Sequence, residues 1–230
     1  MSQNILNTLS ILIPVLPLAG FLIHILFKDK ISEKLAGVHA TAWIIVSFVL
    51  TVVLFAHVRS NGAIHVQLFD WFAAGDMHIP FALQIDQLSV VMMMVITGIG
   101  SMIHMYSIGY MHGDAGFNRF FSYLNLFIFF MLMLVMANNY VLMFVGWEGV
   151  GLCSYLLIGF WFKNPEYNKA ANKAFIMNRI GDLAMLLGLF LLFQYAGTLT
   201  FDGVAARFNP SSPEYFVPDS GMVNAITLLL

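Results

Sequence analysis

Three ionisable residues lie inside long apolar stretches of this sequence, where charged side chains are not expected. Glu148 stands in VLMFVGWEGVGLCSYLLIGFWF, and Arg179 and Asp182 stand in the segment NRIGD. Burying such a residue in hydrocarbon costs at least about 2.5–3.5 kcal/mol, and residues that carry this cost usually face a protein interior or a water-filled cavity. A buried carboxylate beside a cation can bind and release a proton. We therefore predict a proton-binding site, with purely structural buried charges as the alternative.

Arg179 and Asp182 are spaced to form an ion pair. They are three residues apart, so on a helix they share a face, and Asn178 can hydrogen-bond the same carboxylate from the preceding turn. Two interpretations stay open. The pair is either a neutralised contact that locks helix packing or an adjustable counter-charge that changes the field at a neighbouring titratable group.

Glu148 has no such partner on its own helix, since the residues three and four positions away are Phe144, Val145, Gly151 and Leu152. A cation about 4 Å from a carboxylate contributes roughly 4 kcal/mol at an effective dielectric constant near 20, and doubling the distance halves the effect. A cation that moves by a few ångströms can therefore switch this carboxylate between holding and releasing a proton. The cation must come from another helix, and nearby glycines allow the close helix approach that this requires: Gly146, Gly149 and Gly151.

The remaining candidates for chemistry are weaker. His104, in SMIHMYSIGYM, is a candidate proton relay, with an ordinary hydrogen-bonded histidine as the alternative, and His24, His39 and His57 lie nearer the ends of spans. No metal site is predicted, because no two histidines share a helical face four residues apart and the sequence has no Cys/His cluster. The lone cysteine, Cys153, is interpreted as a packing residue. No nucleotide-binding or haem-attachment motif is present.

The composition defines the elements that must position these residues. Apolar residues make up 60% of the 230 residues and charged residues 10%, with a mean hydropathy of +0.84, which lies far outside the range of water-soluble domains. Several stretches of 18 or more residues are long enough to cross a hydrocarbon core of roughly 30 Å. The sequence therefore predicts a polytopic membrane protein in contact with lipid. A net charge of −2 gives no basic surface for nucleic acid.

The predicted fold class is all-α, a bundle of transmembrane helices with six complete spans and the start of a seventh. We place them at Ile5–Phe27, Ala36–Val58, Leu88–Tyr110, Phe120–Met136, Tyr140–Phe162 and Ala174–Ala196, with the seventh beginning near Met222. Between spans two and three, IPFALQIDQLS alternates apolar and polar residues, which predicts a small β-hairpin over about residues 63–87. The connection over residues 197–221 is predicted to be irregular.

Basic residues indicate the orientation in the membrane. Even-numbered connections hold Arg59 and Arg207, whereas odd-numbered connections hold seven basic residues: Lys28, Lys30, Lys34, Arg119, Lys163, Lys169 and Lys173. By the positive-inside rule, the odd-numbered connections face the cytoplasm or matrix and the N-terminus lies outside.

The segments FNRFFSYLNLFIFFMLMLVMANNYVLMFVGWEGVGLCSYLLIGFWF and KAFIMNRIGD resemble the antiporter-like subunit L (chain 5) of proton-pumping NADH–quinone oxidoreductase, respiratory complex I. The large subunit of multi-subunit Na⁺/H⁺ antiporters is similar. The resemblance covers essentially the whole chain, which corresponds to the N-terminal part of the family. It implies one membrane domain over residues 1–230, truncated relative to the family, with spans one to three and the hairpin in residues 1–110. Residues 111–230 would begin the proton-translocating module.

The resemblance also implies a role for the buried charges. Glu148 would be the essential protonatable residue of the fifth span, and Arg179 with Asp182 would form the ion pair that tunes it; a key lysine of the family's seventh span is not in this sequence. The implied partners are other membrane-arm subunits in an energy-transducing inner membrane. No cofactor is expected in this chain, because NADH, FMN, iron–sulfur clusters and quinone belong to other subunits. The alternatives are an Na⁺ or K⁺/H⁺ antiporter subunit and a membrane scaffold that transports nothing.

Overall fold

The computed structural model describes residues 2–27, 30–74, 77–213, 215–217 and 219–230. Within these ranges the elements, in chain order, are α1 (Gln3–Leu26), α2 (Glu33–Asn61), β1 (Ile64–Ala74), β2 (Met77–Ile85), α3 (Gln87–Tyr110), α4 (Phe117–Met136), α5 (Tyr140–Ile158), α6 (Pro165–Ala196), α7 (Phe201–Phe208) and α8 (Ser220–Leu229). Lys28, one of the basic residues used to predict orientation, lies outside these ranges.

Helices α1 to α6 form a membrane-spanning bundle with α4 at its centre. Each of the six is long and apolar enough to cross a membrane, which confirms the predicted multi-pass helix bundle. Helix α4 contacts α1, α2, α3 and α5, while α6 packs against α5 and α8. The main core lies among α1 to α4, with Ile13, Ile44, Met93 and Leu132 fully buried. Apolar side chains on the outer surfaces of these helices would face lipid, where they need no further protein cover.

At the end of the bundle that the positive-inside rule predicts to lie outside, α4 and α5 are joined by a corner, residues 137–139, that we call the outer clamp. On one side Asn138 N donates a hydrogen bond to Ala82 O of β2 at 3.3 Å. On the other side Phe201 N donates to Asn138 O at 3.1 Å, and Tyr140 N donates to Leu199 O at 3.0 Å. The predicted hairpin is confirmed, since β1 and β2 pair antiparallel. The clamp therefore ties the hairpin, the α4–α5 corner and the segment after α6 together.

The odd-numbered connections meet at the opposite end of the bundle, which the positive-inside rule predicts to lie inside and which we call the inner face. Glu33 Oε1, at the start of α2, accepts hydrogen bonds from His112 Nδ1 at 3.0 Å and from Gly113 N at 2.6 Å. Trp161 Nε1 donates to Asp114 Oδ2 at 2.9 Å. These contacts join the start of α2, the α3–α4 connection and the α5–α6 connection on one side of the bundle.

Helix α6 begins at Pro165, well before the predicted start at Ala174. Its first two turns are polar, so a hydropathy window does not recognise them, but the local signals for a helix start are present. Asn164 Oδ1 accepts a hydrogen bond from Glu166 N at 3.0 Å, and proline is favoured at the first helical position. The helix ends where predicted, at Ala196, and the next residue, Gly197, takes the left-handed conformation with φ of +72°.

The connection predicted to be irregular contains a short helix, α7. Thr200 Oγ1 caps this helix by accepting a hydrogen bond from Gly203 N at 3.3 Å. The prediction was wrong here because the proline- and serine-rich stretch after residue 208 dominated the composition of the connection. Helix α5 also ends earlier than predicted, at Ile158 and not at Phe162.

Candidate functional site

Helix α5 lies between α4 and α6, and its glycines mainly serve the contact with α4. A methyl group added at Gly149 would lie 2.1 Å from Cδ1 of Phe130, and one added at Gly146 would lie 2.6 Å from the backbone of Leu134. Because both distances are far below van der Waals contact, only glycine allows α4 and α5 to approach this closely. The close approach predicted for these two positions is therefore made to an apolar face, which brings no cation to Glu148.

The cation that faces Glu148 comes from α6. Arg179 Nη1 forms an ion pair with Glu148 Oε2, and Arg179 Nε lies 3.4 Å from Asp182 Oδ2 in the predicted pair. Gly151 lies beside the guanidinium, since a methyl group added there would be 3.5 Å from Nη2. The ring of Phe175 lies 4.6 Å from Cζ of Arg179. One guanidinium thus contacts carboxylates on two different helices.

Trp147 completes the site, and the sequence reasoning did not assign it a role. Trp147 Nε1 donates a hydrogen bond to Asp182 Oδ1 at 2.9 Å. Asn178 was expected to bind this carboxylate, but within the described residues no hydrogen bond joins the two side chains. Trp147 and Glu148 are consecutive on α5, so neighbouring side chains of one helix reach Asp182 and Arg179 of the other. The sequence signal that could have identified Trp147 is its position directly before Glu148.

The four residues Trp147, Glu148, Arg179 and Asp182, which we call the α5–α6 cluster, carry unequal charge and burial. The Asp182 side chain is 6% exposed, whereas those of Glu148 and Arg179 are 27% and 34% exposed. One cation serves two carboxylates, so the fully ionised cluster holds one negative charge in excess. A single proton would neutralise that charge, and the more exposed carboxylate, Glu148, is the better placed to exchange it.

His104 lies on α3 and does not join the α5–α6 cluster. It is 1% exposed, its Nδ1 lies 2.8 Å from Gly100 O, and its ring lies 6.1 Å from that of Phe121. His24 lies in the last turn of α1, near a span end as predicted, and its side chain is completely buried. Among the residues that the structure describes, no group of three or more His, Cys, Asp or Glu side chains is arranged to hold a metal ion.

Comparison with known protein families matches two segments of the chain. The model for the N-terminus of chain 5 of NADH–ubiquinone oxidoreductase (complex I) matches residues 71–121, and the model for the transmembrane region of NADH:quinone oxidoreductase and Mrp antiporters matches residues 137–230. The second match contains the α5–α6 cluster, and the first contains His104.

The chain is similar to NADH-quinone oxidoreductase subunit L of several bacteria. It is 48% identical to the Mycobacterium tuberculosis H37Rv protein over 85% of this chain and 31% of that protein. It is 44% identical to the Rickettsia bellii protein over 86% and 31%, and 39% identical to the Escherichia coli K12 protein over 98% and 36%. The chain spans about a third of the length of these curated relatives.

Two solved structures share the fold. A chain in the Mrp complex from Dietzia sp. DQ12-45-1b superposes with a TM-score of 0.79 at 23% identity, over 96% of this chain and 23% of that chain. A chain in an archaeal membrane-bound sulfane sulfur reductase superposes with a TM-score of 0.77 at 18% identity, over 99% and 43%. The family matches, the subunit L relatives and this shared fold agree, and the chain belongs to the family of antiporter-like membrane subunits that includes subunit L of NADH-quinone oxidoreductase.

Proposed function

We propose that this chain forms part of a proton-translocating subunit of an NADH:quinone oxidoreductase, in which Glu148 binds and releases the proton and Arg179 controls that step. The names of the relatives support the class of protein. The observation that carries the mechanism is that Arg179 contacts Glu148 on α5 and Asp182 on α6 at the same time.

Arg179 can redistribute between its two carboxylates with a small movement. When its guanidinium stays against Glu148, the ionised form of this side chain is stabilised, so the neutral carboxyl group releases its proton. When the guanidinium turns toward Asp182, Glu148 loses its counter-charge and binds a proton. Doubling the distance between guanidinium and carboxylate from about 4 Å removes about 2 kcal/mol at an effective dielectric constant near 20, which corresponds to about a thirtyfold change in proton affinity.

The chemistry that drives this movement would take place in other subunits. This chain would hold no redox cofactor, and NADH, FMN, iron–sulfur clusters and quinone would be bound elsewhere in the complex. Its partners would be other membrane-arm subunits. Its enzymatic role is then that of a translocase subunit, which couples to electron transfer without performing it.

We place the protein in an energy-transducing inner membrane, the bacterial cytoplasmic membrane, with the N-terminus outside. The odd-numbered connections are the more basic ones, which indicates that they face the cytoplasm. The contacts of Glu33 with His112 and of Asp114 with Trp161 hold these connections at one face. A cysteine introduced at Lys163 should react with a membrane-impermeant maleimide only when the cytoplasmic side is accessible. Labelling from the outside of intact cells would contradict this orientation and indicate the opposite one.

The central test is Glu148→Gln in the full-length subunit within its assembled complex. The amide keeps the shape of the side chain but cannot carry the proton, so proton pumping per NADH oxidised in proteoliposomes should be lost. The matched control is Glu166→Gln, because Glu166 also pairs with a cation, Lys169 at 2.8 Å, but lies exposed at the inner face. Normal pumping by Glu148→Gln in an intact complex would contradict a transport role for Glu148 and leave the buried charges as an assembly scaffold.

A second candidate function is Na⁺/H⁺ exchange in an Mrp-type antiporter. One of the matching family models covers both classes of protein, and the Dietzia Mrp complex contains a chain of the same fold. Co-purification of the full-length subunit with a flavin- and iron–sulfur-containing arm supports the oxidoreductase. Proton movement driven by an imposed Na⁺ gradient, in a complex that lacks this arm, supports the antiporter.

A further inference from the structure

A second polar cluster lies inside the first four helices, separate from the α5–α6 cluster. It comprises His24 of α1, His39 and Trp43 of α2, His104 of α3 and Asn125 of α4, which we call the α1–α4 cluster. His24, His104 and Asn125 are 0%, 1% and 0% exposed. Side chains with this many polar atoms are costly to bury unless their hydrogen bonds are satisfied.

The hydrogen-bond partners determine where His39 and His24 carry their hydrogens. Trp43 Nε1 lies 3.0 Å from His39 Nε2, and an indole nitrogen can only donate. His39 Nε2 therefore accepts, and neutral His39 carries its hydrogen on Nδ1. That atom lies 3.4 Å from His24 Nε2, which accepts in turn. Neutral His24 then carries its hydrogen on Nδ1, and this buried donor meets no acceptor in the part of the chain that the structure describes.

His104 and Asn125 leave two buried acceptors in the same core. His104 Nδ1 lies 2.8 Å from the Gly100 carbonyl oxygen, which can only accept, so Nε2 of the neutral ring is an acceptor. Asn125 Nδ2 donates to Phe121 O at 3.0 Å, which leaves Oδ1 as an acceptor. Within the described ranges neither His104 Nε2 nor Asn125 Oδ1 has a hydrogen-bond partner. Each buried polar atom left unsatisfied would cost about 1–3 kcal/mol.

The three unsatisfied atoms complement a water molecule, which can accept one hydrogen bond and donate two. We propose that His24 Nδ1, His104 Nε2 and Asn125 Oδ1 bind ordered water in the interior of α1–α4. Buried waters typically make about three hydrogen bonds to such otherwise unsatisfied groups. With this water in place, Trp43, His39 and His24 form a continuous line of donors and acceptors that ends on it.

The water site has a route to the inner face. His24 lines a cavity of about 620 Å³ that is also lined by Glu33, Asp114, Arg119 and Ser122. Glu33 and Asp114 belong to the inner face described above, so this cavity is a polar vestibule between the inner connections and the α1–α4 cluster. Protons and water that exchange between the inner aqueous phase and the buried histidines would therefore pass His24.

Asn125 also lies where a small change on α1 would disturb it. A methyl group added at Gly20, one turn before His24, would lie 2.9 Å from Asn125 Oδ1 and 3.1 Å from Trp43 Cδ1. Because Gly20 has no side chain, there is room beside α1 for the amide oxygen of Asn125. Gly20→Ala is expected to displace this oxygen and weaken the water site.

X-ray radiolytic footprinting in H₂¹⁸O tests the proposal on the full-length subunit in its complex, because hydroxyl radicals formed from bound water oxidise the side chains next to it. We expect ¹⁸O incorporation at His24 and His104 within about tenfold of that at the exposed His112, because both rings would lie beside bound water. Met136, which is 0% exposed in the apolar core, is the dry control. Incorporation at both histidines as low as at Met136 would overturn the proposal.

Two further measurements make the assignment specific. Gly20→Ala should lower the labelling of His104, whereas Gly98→Ala should not, because the three atoms nearest to a methyl group added at Gly98 all belong to Phe48, the first at 3.0 Å. Unchanged labelling in Gly20→Ala would exclude Asn125 from the site. A cryo-EM map that resolves ordered waters should show density between His24 and His104. The inference does not rest on the proposed function, since the pumping result for Glu148→Gln has no bearing on this labelling.

Discussion

Replacing Trp147 by phenylalanine tests whether Arg179 is shared between Glu148 and Asp182. Phenylalanine keeps an aromatic ring on α5 but removes the indole N–H that donates to Asp182 Oδ1 at 2.9 Å. Asp182, with a side chain only 6% exposed, then depends on Arg179 Nε, which lies 3.4 Å from Oδ2. We expect the guanidinium to move toward Asp182 and away from Glu148.

The size of the effect follows from two estimates. A hydrogen bond to a charged group contributes about 1.5–3 kcal/mol, so losing it biases Arg179 toward Asp182 by roughly tenfold to a hundredfold. If the guanidinium doubles its distance from Glu148, the carboxylate loses about 2 kcal/mol of stabilisation. Glu148 then holds its proton more tightly, and the midpoint of proton pumping against pH should shift upward by about 1.5 pH units.

The assay is proton pumping per NADH oxidised, measured across pH in proteoliposomes that contain the assembled complex. The chain supplies a matched control in Trp161→Phe. Trp161 Nε1 also donates to an aspartate at 2.9 Å. Its exposure is similar, since Trp147 is 53% exposed and Trp161 is 44% exposed. Its partner Asp114 lies at the inner face, outside the α5–α6 cluster. Trp161→Phe should therefore leave the pH midpoint of pumping unchanged.

Identical pH profiles for Trp147→Phe and Trp161→Phe, with both complexes assembled normally, would contradict this prediction. That result would mean that the indole hydrogen bond does not influence the position of Arg179. A downward shift of the midpoint in Trp147→Phe would also refute it, because moving a cation away from Glu148 favours the protonated form of its side chain.

Two further predictions concern stability. Gly149→Ala places a methyl group 2.1 Å from Phe130 and should lower the free energy of unfolding by about 1–3 kcal/mol. The control is Gly181→Ala, which should be neutral or stabilising because the added methyl group has no atom within 4 Å. The midpoints of SDS-induced unfolding compare the two variants, and equal midpoints would contradict the tight α4–α5 contact. The hydrogen bond from Trp161 holds the pKa of Asp114 below its ordinary value of 3.8, so the ionised carboxylate stabilises the inner connections above that pH and loses this contribution as the pH falls through the lowered value. Asp114→Asn should therefore lower the protection factors of the amides of residues 111–116 at neutral pH and remove the fall in protection on acidification. An unaltered fall would show that another group is responsible.

The sequence predicted the helix bundle because apolar length is a local property. Each span needs only its own composition, and the alternation that ends at Ile85 likewise identified β2 without knowledge of its partner. The start of α6 was missed because its first turns are polar, although Asn164 and Pro165 are recognisable start signals. Local sequence patterns therefore predict which helices and strands form, and their errors lie at helix ends where the hydropathy and the capping residues indicate different boundaries.

The α5–α6 cluster was only half predictable, for a physical reason. The pair of Arg179 with Asp182 follows from helical periodicity, and it was found. The contacts of Glu148 with Arg179 and of Trp147 with Asp182 depend on the rotation of α5 relative to α6, which no local pattern specifies. The same holds for the α1–α4 cluster, where residues from four helices meet.

The outer clamp gives the α5–α6 pair a mechanical character. The hydrogen bond from Tyr140 N to Leu199 O fastens the start of α5 to the segment just after α6, so that the two helices share a fixed outer end. Arg179 lies 17 residues before Ala196, a lever arm of about 26 Å along the helix. With this lever arm, a tilt of α6 by about 5° around the fixed end would carry the guanidinium about 2 Å across the face of α5. A displacement of that size widens a contact of about 4 Å to about 6 Å and weakens it by about 1.4 kcal/mol at an effective dielectric constant near 20, so a slight pivot at the outer end of α6 would favour the movement of Arg179 that we propose.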